Sequence, residues 1–178
     1  MIEIKSEQEI ALIAEAGRIV RNVLQEIKKA AKPDVTTEEL DRKAEEVIKK
    51  ANAKSAFKGY NGYPGHICTS INEQVVHGIP GKTRLKRGDI LSIDVGVEKS
   101  GFYADAAITI EIAGAASEKA KDLIKVTEKA VMLGIEKAVE GNRLFDISAA
   151  IQQYAESKGY SVVRSFVGHG IGRKMHED

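Results

Sequence analysis

Residues 87 to 111 read RGDILSIDVGVEKSGFYADAAITIE, two strand-like arms around a short polar turn. With a period of two, the first arm places Leu91, Ile93, Val95 and Val97 on one face and Ser92, Asp94 and Gly96 on the other. In the second arm Phe102, Ala104, Ala106, Ile108 and Ile110 share a face, and Tyr103, Asp105, Ala107 and Thr109 share the opposite one. A loop over Glu98 to Gly101 closes an antiparallel hairpin in which Val97 faces Phe102 and, counting outward, Asp94 faces Asp105. Cβ atoms of such a pair lie about 4.5–5.5 Å apart, so two carboxylates there repel. Three arrangements relieve the repulsion: a bound divalent cation, a shared proton, or a wet face that tolerates the pair. Aspartate is depleted in strands, which favours a metal or catalytic pair over a solvated accident.

The segments flanking this hairpin spell helices and turns. Ser6 with Glu9 is a capping box opening a helix to about Ala31, its apolar face marked by Ile10, Ile13, Gly17, Val20, Leu24 and Ile27. Thr36 with Glu39 repeats the signal before a helix carrying Leu40, Ala44, Val47 and Ala51. A Gly/Tyr-rich loop, FKGYNGYPGH, follows, then short strands at Ile67 to Ile71 and Gln74 to Val76 and a turn at HGIPG. Beyond the hairpin, Ser117 opens a third helix stopped by Gly141, and Asp146 opens a fourth stopped by Gly159. Ser161 to Val167 (SVVRSFV) reads as a strand delivered into the loop GHGIG. The order helix, helix, strand thus occurs twice, and one constant offset brings Ser6 onto Ser117, Leu12 onto Leu123, Leu40 onto Ile151 and Ala44 onto Ala155. That is the pattern of an internal duplication.

Composition narrows the class. The 178 residues are 43% hydrophobic and 30% charged with formal net charge +1, which suits one domain and gives no general case for nucleic acid or an anionic membrane. The basic run KTRLKR at 82 to 87 reads as a solvated loop. A single cysteine, Cys68, excludes an intrachain disulfide and fits a reducing cytosol. The N-terminus lacks a signal-peptide core and no apolar run reaches membrane-span length, so a cytoplasmic protein is expected.

Four histidines are available: His66, His77, His169 and His176. His66, in a turn, reads as structural. His169 stands between Gly168 and Gly170, where the backbone can bend tightly and present an imidazole at a strand end. Two aspartates with a histidine suit an oxygen-rich site for Mn, Fe, Co or Zn, whereas the cysteine count excludes a thiolate zinc site. GHGIG lacks the G-x-G-x-x-G spacing of a dinucleotide fingerprint.

INEQVVHGIPG at 71 to 81, SIDVGV at 92 to 97, GFYADAA at 101 to 107, GHGIGRKMHE at 168 to 177 and AKPDVTTEELD at 31 to 41 together closely resemble type I methionine aminopeptidases. The resemblance covers the chain and implies an α+β pita-bread fold: two pseudo-symmetric αβ halves around a curved antiparallel sheet. It implies a single catalytic domain over 1–178, with residues 1–115 as the first half and 116–178 as a second half cut short. The implied activity is hydrolytic removal of the initiator methionine from nascent chains in the cytoplasm, with methionyl peptides, nascent chains and the ribosome as partners.

Within that resemblance, two divalent ions (Co, Mn, Fe or Zn) are held by two Asp, one His and two Glu, and Asp94, Asp105 and His169 match the first three. His77 and His176 match histidines that meet the substrate amide and carbonyl; Tyr60, Tyr63 and Cys68 match the methionine pocket, with Met175 near it. Both family glutamates fall outside these 178 residues, and Glu177 belongs to the family's HE pair rather than to the ligands. An incomplete site with weakened metal binding is therefore expected, as is self-association through uncovered sheet. The competing reading is a non-catalytic pita-bread relative that binds peptides or the ribosome.

Overall fold

The computed structural model describes residues 2–114 and 117–178, which divide into two compact units: one of residues 1–115 with 169–178, the other of residues 116–168. In the first, α1 (Glu7–Ala30) and α2 (Thr37–Lys50) precede β1 (Lys54–Ser55), a 3₁₀ turn (Tyr60–Gly62), β2 (Cys68–Ile71), β3 (Ile90–Lys99) and β4 (Phe102–Glu111). Both helices begin as capping boxes. The Ser6 and Thr36 hydroxyls accept the Glu9 and Glu39 amides, and each glutamate accepts the cap residue's own N–H in return. Four otherwise orphaned donors are satisfied in this way, fixing where the chain turns into each helix.

β3 is the central strand. On one side it pairs antiparallel with β1 and β2, and on the other with β4 along its full length. Leu91, Ile93, Val95 and Val97 are fully buried on one face of β3, in a core shared with Ala16, Val20, Val23, Leu24 and Ile27 of α1 and Leu40, Ala44 and Val47 of α2. Ile10, read from the sequence as part of that face, is 55% exposed, and the first buried residue of α1 is Ala16.

The register differs from the sequence expectation. The hairpin closes through two residues, Ser100 and Gly101, both at positive φ (54° and 82°), the twist-matching geometry of a tight hairpin turn. Lys99 pairs with Phe102, Gly96 with Asp105 and Asp94 with Ala107. The change slides each pair by two positions, an even number, so every side chain keeps its face while Asp94 and Asp105 become diagonal rather than direct neighbours.

Gly96 also accommodates Phe57. A Cβ at Gly96 would stand 2.5 Å from the buried ring's Cε1. Gly96→Ala is expected to destabilise the unit by about 1–3 kcal/mol through overpacking, read as a lower urea midpoint at unchanged slope. An unaltered midpoint would mean that Phe57 moves aside freely.

Two expected strands are not strands. Gln74 to Val76 follow a turn in which the Gln74 amide donates to Ile71 O (3.1 Å), the Gln74 carbonyl oxygen Oε1 accepts the Ile71 amide (2.9 Å) and Asn72 takes φ +54°, so the backbone doubles back instead of extending. Ser161 to Val167 is irregular. Its unit contains helices α3 (Glu118–Lys137) and α4 (Leu144–Ser157), and among the described residues no strand there offers a ladder, without which β-branched residues do not make a strand.

α3 starts at the Ser117 cap, the position onto which the duplication brings the Ser6 cap of α1. α4 opens at Arg143 rather than Asp146, whose carboxylate accepts the Arg143 amide at 2.8 Å from one turn inside. α2 and α4 are both 14 residues long, but α4 begins at Leu144, ahead of Ser148, the position that the same offset would give to Thr37. The connections 31–36 and 138–143 are equally long, so the shift comes from α3, which at 20 residues is shorter than α1 at 24. No helix among the described residues is long and apolar enough to cross a membrane.

Candidate metal centre and pocket

Alternation along β3 and β4 sends Asp94 and Asp105 to the sheet face away from α1. Asp94 lies between Cys68 of β2 and Ala107 of β4; Asp105 lies opposite Gly96, so small neighbours leave space between the carboxylates. The Asp94 carboxyl is pushed up to about 6, by burial first and by the Asp105 charge second, with His77 and His169 pulling the other way. That is the electrostatic signature of a site short of positive charge.

His169 comes to this face from far along the chain. The segment 169–178 docks against the edge of β4: the Tyr103 amide donates to Gly172 O at 2.8 Å, and the Arg173 guanidinium stands 5.2 Å above the Phe102 ring. It is anchored to the N-terminal region by Lys5–Glu177 at 2.6 Å, with both side chains mostly buried, and by Arg173–Glu9 at 2.5 Å. Reciprocal bonds between Gly170 and Glu177 (2.9 and 2.8 Å) fold the segment back on itself and bring the rings of His169 and His176 within 4.3 Å.

The His169 tautomer follows from its partner. A carbonyl can only accept, so Nδ1, 2.9 Å from Gly170 O, carries a proton, and in the neutral ring Nε2 then presents its lone pair. Nε2 lies 3.7 Å from Asp105 Oδ2. Among the described residues no three His, Cys, Asp or Glu side chains converge tightly enough to form a complete ligand cluster. Asp94, Asp105 and His169 are a partial set. Its chemistry, hard carboxylate oxygens with a lone-pair imidazole on a face that lacks positive charge, fits a divalent cation with its remaining positions filled from elsewhere. Glu177 is not available to complete it: one carboxylate oxygen accepts Lys5 Nζ, and the other accepts the amides of Arg173 (2.7 Å) and Lys174 (3.2 Å).

Beside the carboxylates is an apolar patch. Cys68 and Met175 are buried with Ala56 and Phe57, and Tyr63 and Tyr103 pack against them. Phe57 and Tyr63 meet edge to face at 6.5 Å. The Cys68 thiol is pushed up to about 11, chiefly by burial, so it is a packed, unreactive wall rather than a nucleophile. Burial likewise raises the Tyr63 hydroxyl far above the ordinary phenol range.

Tyr60, on the 3₁₀ turn, puts its hydroxyl 3.0 Å from His176 Nδ1. His77 sits at φ +59° just before buried Gly78, and it is near enough to Asp94 to act on its titration. All nine candidate residues thus fall in one unit.

His66 is held structurally, as the sequence suggested, by Asp41 (2.9 Å) and Glu45 (3.4 Å). Sequence reasoning passed over Phe57 and Tyr103 in the wall, and Asp41. Only its place beside buried Leu40 distinguished Asp41 from the other acids of α2.

A half-buried sheet face carrying two aspartates and an aimed imidazole beside an apolar patch is the layout of a metal-dependent hydrolase. The profile of metallopeptidase family M24 matches residues 11–178. The methionine aminopeptidase of Clostridium acetobutylicum is 58% identical over the whole chain, which spans 71% of that protein. The crystal structure of methionine aminopeptidase from Rickettsia prowazekii superposes with a TM-score of 0.97 at 43% identity, covering all of this chain and 71% of that one. For the Thermotoga maritima enzyme the values are 0.96, 43%, and 72% of its chain. The chain belongs to metallopeptidase family M24, among its methionine aminopeptidases, and has their α+β pita-bread fold.

Proposed function

We propose that the chain acts on the N-terminal methionine of peptides and nascent proteins in the cytoplasm, with Asp94, Asp105 and His169 holding divalent cations, His77 and His176 holding the substrate backbone, and Tyr60, Tyr63, Cys68 and Met175 receiving the side chain. The observation that carries this reading is the aim of His169 Nε2 toward Asp105, beside an apolar wall containing both a thiol and a thioether. Bound divalent ions would lower the pKa of a water and polarise the scissile carbonyl.

The protein's own groups do the rest. The Tyr60 hydroxyl can donate to His176 Nδ1, which leaves the proton on Nε2 as a donor for the substrate carbonyl and for the charge that builds there. His77, close enough to Asp94 to act on its titration, would take the substrate amide. Cys68, Met175 and Phe57 offer polarizable surface suited to a thioether and no charge to pair with a lysine.

The test is selective binding. In calorimetric titrations with Mn present, a peptide beginning with norleucine is expected to bind measurably more tightly than its lysine counterpart. Equal affinity for both peptides would remove the methionine assignment.

A further inference from the structure

A hydrogen-bonded path leads from α2 to His77. Asp41 Oδ1 accepts the backbone amides of His66 (2.6 Å) and Ile67 (3.0 Å), and Oδ2 accepts His66 Nδ1–H (2.9 Å). With its side chain only 13% exposed, this carboxylate commits both oxygens to the two residues that lead into β2. The Ile67 carbonyl is 3.1 Å from Tyr63 Oη, and the same Oη is 3.0 Å from Gly78 O. A phenol has one proton, so the two carbonyls share it and are held together by it.

Gly78 is also locked from the other side. Its carbonyl accepts the Thr69 amide at 2.8 Å and its own amide donates to Ser70 Oγ at 3.1 Å, tying it to β2. His77, one residue earlier, keeps φ at +59°, where a non-glycine residue stays only when its surroundings fix it.

We infer that Asp41 and the Tyr63 hydroxyl are positioning residues that fasten the His77 turn to the wall of the apolar pocket, so that a side chain seated against that wall places His77 on the substrate backbone. The inference rests on the proposed reading of that wall as the methionine pocket. It adds that side-chain recognition and backbone recognition are one hydrogen-bonded unit, anchored at Asp41. Neither residue touches the reacting atoms; both act through His77.

The four histidines are separate reporters for NMR of the imidazole signals. Tyr63→Phe keeps the ring and removes only the bridging hydroxyl. It is expected to move the His77 signals while leaving those of His169 and His176 in place, and to weaken binding of a norleucine peptide about fivefold to tenfold, the worth of one hydrogen bond. Asp41→Ala is expected to move His77 and also His66, and the double variant to show less than the sum of the two binding losses, because both cut one path. Unmoved His77 signals in both single variants would overturn the inference, as would displacement of all four histidines by Tyr63→Phe, which is general loosening. A selective His77 shift in a parent chain that binds norleucine and lysine peptides equally would uphold the coupling and overturn the pocket assignment.

Discussion

Freed of divalent ions by a chelator, Asp94→Asn is expected to be more stable than the parent at pH 8, by up to about 3 kcal/mol. Burial first, and the neighbouring Asp105 second, raise the Asp94 carboxyl from its ordinary 3.8 to about 6. A folded pKa above the unfolded one means that the native state binds more protons between those values. Stability is therefore full below about pH 4, falls as pH rises through about 6, and is flat above, where the charge is fully present. Asparagine removes both the desolvated charge and its repulsion, so the gain is absent below about pH 4, grows between pH 4 and 6 and is complete above. A divalent ion acts in the opposite sense on the parent: it stabilises at pH 8, by about 2.7 kcal/mol at a hundredfold excess over its dissociation constant. Asp105→Asn should lose that response. Urea titrations at pH 4 and 8, with chelator and with Mn, give all of these quantities. An Asp94→Asn variant no more stable at pH 8 would show that the charge is solvated, and a parent indifferent to Mn would remove the three residues as cation ligands.

The faces of this hairpin were legible from alternation, and its pairing was not. Parity is a property of each strand, whereas register depends on whether the turn takes four residues or two, and KSG fits either reading until Ser100 adopts positive φ. Because the difference is an even number of positions, the carboxylates stay on one face and the site survives the change of register. Helix starts were legible because capping is local: Ser6, Thr36 and Ser117 each satisfy amides within one turn. What could not be read was non-local. Lys5 reaching Glu177, and Arg173 reaching Glu9, fix where His169 and His176 stand, yet these partners come from opposite ends of the chain. β1 is two residues long and exists because Lys54 and Ser55 face Glu98 and Val97, not because of its own sequence. Ser161 to Val167 shows the converse, strand composition without a neighbouring ladder. The motifs at 71–81, 92–107 and 168–177 identified the family all the same, since they hold most of the candidate site residues in short contiguous runs.

Under saturating Co or Mn, the 178-residue polypeptide is expected to release methionine from a Met-Ala-Ser peptide about 10²- to 10⁴-fold more slowly than the Clostridium acetobutylicum relative, of which it spans 71%. The expectation comes from counting donors. Asp94, Asp105 and His169 supply two carboxylates and one imidazole, and no third carboxylate joins them among the described residues. The nearest in sequence to the histidine pair, Glu177, is bonded to Lys5 and to two backbone amides, and freeing it would unfasten the turn that holds His169 against Asp105. Water can occupy the open coordination positions, but it brings no negative charge, so cation affinity falls. Water also does not replace a positioned carboxylate as the group that takes the proton from the attacking water and delivers it to the leaving amine, and a loss of that kind accounts for the stated factor. Adding a polypeptide that supplies the part of the relative this chain does not span should then raise the rate without changing which peptides bind, because every pocket residue named above already lies in one compact unit. Tight, selective binding of norleucine peptides with no release of methionine would favour a binding module over a slow enzyme. Release at the relative's own rate would show that two aspartates, one histidine and water suffice.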